Sequence, residues 1–229
     1  MFGRLKAMGV DRDRIVPVAF HVDYFNAPWK DPFSQKAYSQ RQFEYSLIYQ
    51  RENDTGDKNT LYFTPMLMVD GRHPMLGSDP PKAQAALRRT LGEKPAASIA
   101  ARLVNDPKDP RRKTLSASVA ALTLGASGRD LLVGVAIWED PVTTKVTSGE
   151  NAGETLVEHY AVRKFDYQRV RLEGTRPKAL TFPLELGDGW DAAGCGVAVF
   201  VQDWNDGRVH QAESLPWEAK ASRATAGTD

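Results

Sequence analysis

The stretch that most constrains this 229-residue chain is Tyr62-Phe-Thr-Pro65-Met-Leu-Met-Val-Asp-Gly71, an apolar run entered through Thr64-Pro65 and left through Asp70-Gly71. An X-Pro bond is the only peptide bond that is cheap to hold cis, mostly in tight turns, so a cis Thr64-Pro65 step is expected. The alternative is a trans proline that marks entry from loop to strand. Met66–Val69 then reads as a buried strand, Asp70-Gly71 as a hairpin turn and His73–Leu76 as the return strand. The chain has one cysteine, Cys195, which lies about 130 residues further on.

Composition removes several classes of function. Lys+Arg 30 against Asp+Glu 29 gives no electrostatic case for nucleic acid or an anionic membrane. No apolar run reaches the ~18 residues a transmembrane helix needs. The N-terminus Met1-Phe-Gly-Arg-Leu-Lys-Ala-Met-Gly lacks the apolar core and cleavage site of a signal peptide, so the chain as written would stay in the cytoplasm. One cysteine excludes an internal disulfide and a multi-cysteine zinc site, and no cofactor is expected.

The organisation changes near residue 95. Before it, helical and strand patterns alternate. Phe2, Leu5 and Met8 predict a helix ended by Gly9, and Ile15–His21 reads as a strand covered on both faces. Pro17 argues that one side of that strand lacks a ladder partner. Ser34 is expected to cap a helix to about Gln50, burying Phe43 and Leu47 with Tyr38 and Ile48, before a polar loop over Arg51–Thr60. Ser78 or Asp79 caps a last helix running to Leu91-Gly92.

After Pro95 come short strand patterns at Ser98–Val104, Thr114–Leu124, Leu131–Trp138, Leu156–Val170, Ala179–Pro183, Cys195–Val201 and Gly207–Glu213. About seven strands at this spacing predict an antiparallel β-sandwich. The expected division is 1–94, 95–217 and a disordered tail over 218–229. The fold class is therefore α+β.

Three segments carry a resemblance. They are Ala19-Phe-His-Val-Asp-Tyr24 with Trp29-Lys-Asp-Pro-Phe33 and Arg41-Gln42, then Tyr62-Phe-Thr-Pro65 through Asp70-Gly71, then Gly149-Glu-Asn-Ala-Gly153-Glu-Thr-Leu156 with Val162-Arg163. In order and spacing they resemble the bacterial family known as domain of unknown function 1223. The resemblance implies a thioredoxin-like domain followed by a β-rich one, usually exported to the periplasm or cell envelope. It also implies a first strand and a Cys-x-x-Cys motif at the start of the first helix. Met1 falls inside what would be that helix, so the resemblance places the strand, both cysteines and any export signal upstream of residue 1. The chain is then expected to be non-catalytic, while full-length relatives would be thiol–disulfide oxidoreductase-like, acting on a peptide or protein thiol. The alternative is a binding or scaffold module of the envelope that works through the β-sandwich.

The substrate-groove candidates are Thr64, Pro65, His21, Asp23, Tyr24 and Trp29. His21 and Asp23 end a strand, where ligands of open α/β sheets gather. Either His21 is an acid/base or ligand partnered by Asp23, or it packs with a ring nitrogen on backbone while Asp23 caps the turn. The second reading is favoured. A metal site would need His21, Asp23, His73 and His159 to converge, and none is expected. Trp29 with Asp31-Pro32-Phe33 forms either a lip over a peptide groove or a cluster that anchors the loop. Gly149–Gly153 reads as a tight turn with Asn151 bonding its own backbone, and as a place where the β-rich part touches its neighbour. Cys195 lies in an apolar strand pattern and is expected to be buried and inert. Arg111-Arg-Lys113 reads as a solvated turn.

Overall fold

A computed structural model describes residues 14–53 and 61–218. The helix expected over Phe2–Met8, most of the 51–60 loop and the tail beyond residue 218 lie outside the described residues. In chain order the elements are α1 (Lys36–Asn53), β1 (Met66–Val69), β2 (His73–Leu76), α2 (Pro80–Leu91), β3 (Ala97–Asn105), β4 (Arg112–Ala121), β5 (Asp130–Glu139), β6 (Val142–Lys145), β7 (Thr155–Glu158), β8 (Ala161–Arg171), β9 (Lys178–Glu185), β10 (Cys195–Asp203) and β11 (Val209–Pro216). The chain is α+β, with antiparallel strands in several sheets.

The two most continuous apolar runs become β5 and β10, which pair antiparallel from Cys195↔Glu139 to Asp203↔Leu131. They lie at the centre of a sheet ordered β11-β10-β5-β8, with a second sheet β3-β4-β9 facing it. Because strand side chains alternate between faces, Val133, Val135, Val197 and Val199 enter the core between the sheets, where they meet Leu115, Val119 and Phe182. The opposite face, at Ala136 and Ala198, is buried as well, under Val16, Val18, Phe20 and Tyr38. Cover on both faces explains why these strands read as unbroken apolar runs.

Several expectations change here. The 156–170 segment divides at Tyr160, whose φ is +55°, into β7 and β8. The sequence reading missed β6, four residues that follow the cis Asp140-Pro141 bond and pair with β7. Ile15–His21 is not a ladder strand. Val16, Val18 and Phe20 pack with the period of an extended chain, but the run makes one bridge, parallel, from Ala19 to Ala161. Among the described residues its backbone finds a partner at Ala19 and His21 only, and Pro17, in the same phase as those two, has no N–H to add.

The expected face of α1 holds at Tyr38 and is overturned at Phe43 and Leu47. Phe43 and Leu47 are 42% and 48% exposed, whereas Tyr38, Ser39, Gln42 and Ser46 are buried. Two of the buried polar groups are bonded, the Gln42 amide donating to the carbonyls of Leu61 and Phe63 and the Ser39 hydroxyl to Asp23, whereas the Ser46 hydroxyl has no partner among the described residues. Polar side chains that satisfy loop backbone outcompete apolar ones for this face. Ser34 does not cap the helix. Its hydroxyl donates to the Asp31 carbonyl, and the Gln35 carbonyl opens the helix by accepting from Ser39. Asp79 caps α2 as expected, accepting from the Lys82 N–H at 3.1 Å.

Arg41 joins α1 to the β5/β10 sheet. Its guanidinium lies 4.7 Å from the ring centre of Phe165, 5.2 Å from Tyr45, 5.5 Å from Phe20 and 5.6 Å from Phe200. It also donates to Gln202 Oε1 at 2.8 Å. Replacing Arg41 with Met keeps the apolar stem and removes the charge and its hydrogen bond. The expected loss is about 2–3 kcal/mol, read as a lower urea midpoint at constant slope. An unchanged midpoint would mean that the ring stack holds α1 without the cation.

Candidate functional site

A cleft of about 1330 Å³ lies between the extended run 15–22 and β1, with Thr64 and Pro65 among its walls. Small-molecule sites are usually ~300–1,000 Å³, so this one is sized for something longer. Apolar side chains supply most of its surface, including Val16, Val18, Phe20, Met66, Leu67 and Leu87.

The wall at β1 is built by its hairpin. Asp70 and Gly71 have φ +56° and +70°, the left-handed pair that turns a tight hairpin, and the Arg72 N–H closes it on the Val69 carbonyl. Gly71 also abuts Gly207, where an added Cβ would come within 1.9 Å of the carbonyl oxygen. Thr64-Pro65 is cis, and the Gly77 N–H donates to the Pro65 carbonyl at 2.8 Å. A Cβ at Gly77 would lie 3.2 Å from the Pro65 Cβ, so the two residues are closely packed here.

Both walls carry unpaired backbone. In an extended chain the N–H and C=O of one residue point to the same side and alternate along the chain. Ala19 spends its pair on the β8 side, with Tyr160 and Val162, so Val16, Val18 and Phe20 direct theirs the other way. In β1, Pro65 and Val69 bond toward β2, which turns Met66 and Met68 outward. Among the described residues, no backbone partner meets these five. A buried peptide group without a partner costs about 1–3 kcal/mol, and these are half-buried.

The ends of the cleft are polar. At one, His21 Nδ1 lies 2.6 Å from Asp31 Oδ2. Asp31 Oδ1 accepts from the Phe33 N–H at 2.8 Å, and the His21 ring meets Phe33 edge-on at 5.4 Å. Burial works to raise the Asp31 carboxyl, but hydrogen bonds from His21 and the Phe33 N–H outweigh it and hold the group below its ordinary value. At the other end, Arg72 bridges Asp70 and Glu93 at 3.1 and 2.9 Å, Arg208 reaches Glu93 at 3.1 Å, and the Val209 N–H donates to the Asp70 carbonyl. Burial pushes the Asp70 carboxyl up despite Arg72.

Thr64, Pro65, His21 and Trp29 therefore line one cleft, whereas Asp23 and Tyr24 do not. Neither reading of His21 holds, because its partner is Asp31 and not Asp23 or backbone. Asp23 instead bonds Ser39 at the start of α1. The Tyr24 hydroxyl donates to Gln42 at 2.9 Å. Phe33 is buried under Arg163 and His21, while Trp29 stays half-exposed at the cleft. The Gly149–Gly153 turn touches the Pro28 loop, with the Ser148 hydroxyl on the Pro28 carbonyl at 3.2 Å. Its Asn151 uses the backbone carbonyl, which accepts from Glu154, rather than its side chain.

Sequence reasoning missed Asp31 as a partner, and it missed an aromatic platform. Phe25, on the cleft wall, meets Tyr24 at a tilt at 4.9 Å, Tyr24 meets Tyr62 at 4.8 Å, and Tyr62 meets Phe43 at 6.4 Å. Phe25 is 68% exposed. The spacing of Phe43 and Leu47 signalled an apolar helix face but not whether it was covered. His159 is bound to Asp140 at 2.6 Å, and among the described residues no cluster of three or more metal-ligating side chains forms. Cys195 lies in the core between the sheets and off the cleft, its thiol pushed up to about 12 by burial and then by Glu139. Arg111 and Arg112 are ion-paired to Asp188 and Glu185, and Lys113 donates to the Trp217 carbonyl, so this cluster is structural.

A family model described as "Protein of unknown function (DUF1223)" matches residues 3–202. No curated protein matches the sequence. Among solved structures, HBP35 of Porphyromonas gingivalis is 13% identical with a TM-score of 0.54, over 81% of this chain and 65% of that one. The chain thus spans about 65% of the length of that structure, and the likeness is one of fold. A domain of the outer membrane lipoprotein Omp28, also from Porphyromonas gingivalis, is 18% identical over 52% of this chain and 94% of its own, with a TM-score of 0.31. OgpA from Akkermansia muciniphila is 9% identical over 55% and 30%, with a TM-score of 0.32. Among the described residues no helix is long and apolar enough to cross a membrane.

The Asp31 carboxylate gives the site a pH signature. Its lowered value means that the stabilisation is complete above the ordinary Asp value of ~3.9 and is lost as pH falls through the lower folded value. Asp31→Asn is expected to cost about 1–3 kcal/mol in urea melts at pH 5–6, shrinking toward zero by about pH 2. A gap between the two proteins that stays constant over this range would show that the pair with His21 contributes nothing as a charge.

Proposed function

The chain belongs to the DUF1223 family of proteins of unknown function, and on that premise we propose that it is a thioredoxin-like protein that binds extended polypeptide in the cleft beside Pro65 and performs no thiol chemistry in this form. The observation that carries this reading is the cleft itself, which is apolar, larger than a small-molecule site and flanked by a proline-entered strand. The division near residue 95 belongs to the same reading, with the cleft between the first part and loops and strands of the second, among them Ser148, Phe200 and Val209.

Thiol chemistry is unfavourable on two counts. Exchange of a disulfide needs an attacking thiolate and a resolving thiol, and the sequence has one cysteine. With its value near 12, that thiol is ionised in only about one molecule in 10⁵ at pH 7, and it is walled off by the core. Relatives that carry a Cys-x-x-Cys pair opposite the equivalent of Pro65 would use the same cleft to present a peptide or protein thiol.

A second reading keeps the family but moves the working surface to the β-sandwich, as a binding or scaffold module of the envelope. It is supported by an aromatic row on the outer face of the β11-β10-β5-β8 sheet. There Phe165 stacks with Tyr167 at 6.1 Å, Tyr167 meets Trp204 at 5.9 Å, and Arg169 lies 4.2 Å over Trp204.

Two measurements separate these readings. In an insulin-reduction assay the wild-type chain and Cys195→Ser are expected to run at the blank rate. Turnover that vanishes in Cys195→Ser would overturn the non-catalytic assignment. Binding of a fluorescent, permanently unfolded polypeptide is expected to weaken about tenfold in Trp29→Ala, at the price of one half-exposed cleft side chain, and to be unchanged in Trp204→Ala. The opposite pattern would assign function to the sandwich.

A further inference from the structure

Resting on the reading of the cleft as a polypeptide site, we infer that His21 Nε2 is a fixed hydrogen-bond acceptor at its mouth, selecting a polypeptide that brings a hydroxyl side chain, serine or threonine, to the end beside Pro65. The ring is held on several sides. Nδ1 lies 2.6 Å from Asp31 Oδ2, the ring meets Phe33 edge-on at 5.4 Å, and the His21 carbonyl accepts from the Gln35 N–H at 3.2 Å. Asp31, whose carboxyl stays below its ordinary value against the pull of burial, is ionised near neutral pH. A carboxylate only accepts, so Nδ1 carries the proton, and in the neutral ring Nε2 is then a lone-pair acceptor of fixed direction.

That nitrogen is unused and open. It makes no hydrogen bond among the described residues, and it is not one of the sealed polar atoms, whereas both ring nitrogens of His210 are. The His21 side chain keeps 14% of its surface exposed and lines the cleft with Thr64, Pro65 and Trp29. These groups stand where the 15–22 run ends and β1 begins. The acceptor is therefore set by Asp31 and Phe33, and not by what lies between the two walls. His159 makes the same 2.6 Å bond to Asp140 away from the cleft, which provides an internal control.

The surroundings suit a hydroxyl better than a cation. Nearby acceptors are already occupied: Asp31 Oδ1 by the Phe33 N–H, Asn26 Oδ1 by the Asp31 N–H and the Ser34 hydroxyl, and the Pro28 carbonyl by the Ser148 hydroxyl. An ammonium has three N–H donors to satisfy, and a hydroxyl has one. Beside Trp29 and Pro65 a charged group would lose water without gaining a full set of partners. A site built to receive an O–H rejects the isostere that lacks it, because the acceptor is then left unpaired. Glu150 also lines the cleft, which makes lysine the competing donor to test.

The test uses the whole chain and synthetic peptides of about eight alanine and valine residues, the length of a common strand, carrying a soluble glycol tag. Threonine, its isostere valine or lysine is placed at each position in turn. At one position the threonine peptide is expected to bind about tenfold tighter than the valine peptide. His159→Asn keeps that preference. His21→Asn abolishes it while still binding both peptides, since its amide can donate to Asp31 but has no atom where Nε2 stood. A role in packing alone would weaken both peptides equally. The 15N signal of Nε2 in the wild-type chain is expected to move with the threonine peptide and not with the valine peptide, which decides the matter if His21→Asn loses all binding. Equal affinity for threonine and valine peptides at every position, a preference that survives His21→Asn, a stronger preference for lysine, or an Nε2 signal that does not distinguish the peptides overturns the inference. Binding that still depends on Trp29 leaves the cleft reading standing after such a failure, and if no peptide or unfolded polypeptide binds, both fall.

Discussion

One apolar contact seats the 15–22 run and α1, the docking of Val16, Val18, Phe20 and Tyr38 on the outer face of the β11-β10-β5-β8 sheet. Backbone pairing there amounts to a single bridge at Ala19, so side-chain burial carries the load, at roughly 1.5–3 kcal/mol for each large apolar side chain fully covered. Arg41 extends the contact by placing a cation among four aromatic rings that come from the 15–22 run, α1 and two strands of that sheet. The arrangement fixes the 15–22 run by its side chains and leaves one side of its backbone without a partner among the described residues. That combination creates the cleft.

The same logic explains why the cleft stays open. Collapse of β1 onto the 15–22 run would pair the free backbone groups, but the β1–β2 hairpin is tied elsewhere. Its tip at Gly71 abuts Gly207, the Asp70 carbonyl accepts from Val209, and Arg72 with Arg208 shares Glu93. Its base is held by the Pro65–Gly77 contact. The opposite wall is anchored through β8 and through the His21–Asp31 pair. Each wall is thus attached to the strands after residue 95 rather than to the other wall, and the space between them is a property of the whole fold.

Much of this was legible in the residues. Thr-Pro before four apolar residues and Asp-Gly after them led to β1, its cis proline and its turn. The runs at Leu131–Trp138 and Cys195–Val201 led to β5 and β10, and Cys195 read as buried and inert, but cover on both faces was read into Ile15–His21, which pairs only at Ala19. The α1 face misled, because apolar spacing on a helix says where a stripe lies and not what covers it. Ser39 and Gln42 took the buried side by bonding loop groups far away in sequence. His21 misled for a related reason. Asp23 was nearer along the chain, but an extended segment sends residues two apart along the same face at a fixed spacing, and the loop returned Asp31 to the ring instead.

Taken by itself, the sequence determined the local elements and the chemistry that is missing: a proline-entered hairpin, strands written as apolar runs, and a single thiol in an apolar setting. These follow from short-range constraints on φ, on peptide-bond geometry and on burial, which a few neighbouring residues decide. Tertiary structure alone decided that the 15–22 run lies along the sheet by its side chains, that Asp31 meets His21, and that Phe25, Tyr24, Tyr62 and Phe43 meet in one platform. Those outcomes depend on which distant groups compete for each hydrogen bond and each apolar face. That competition is settled only when the whole chain is packed.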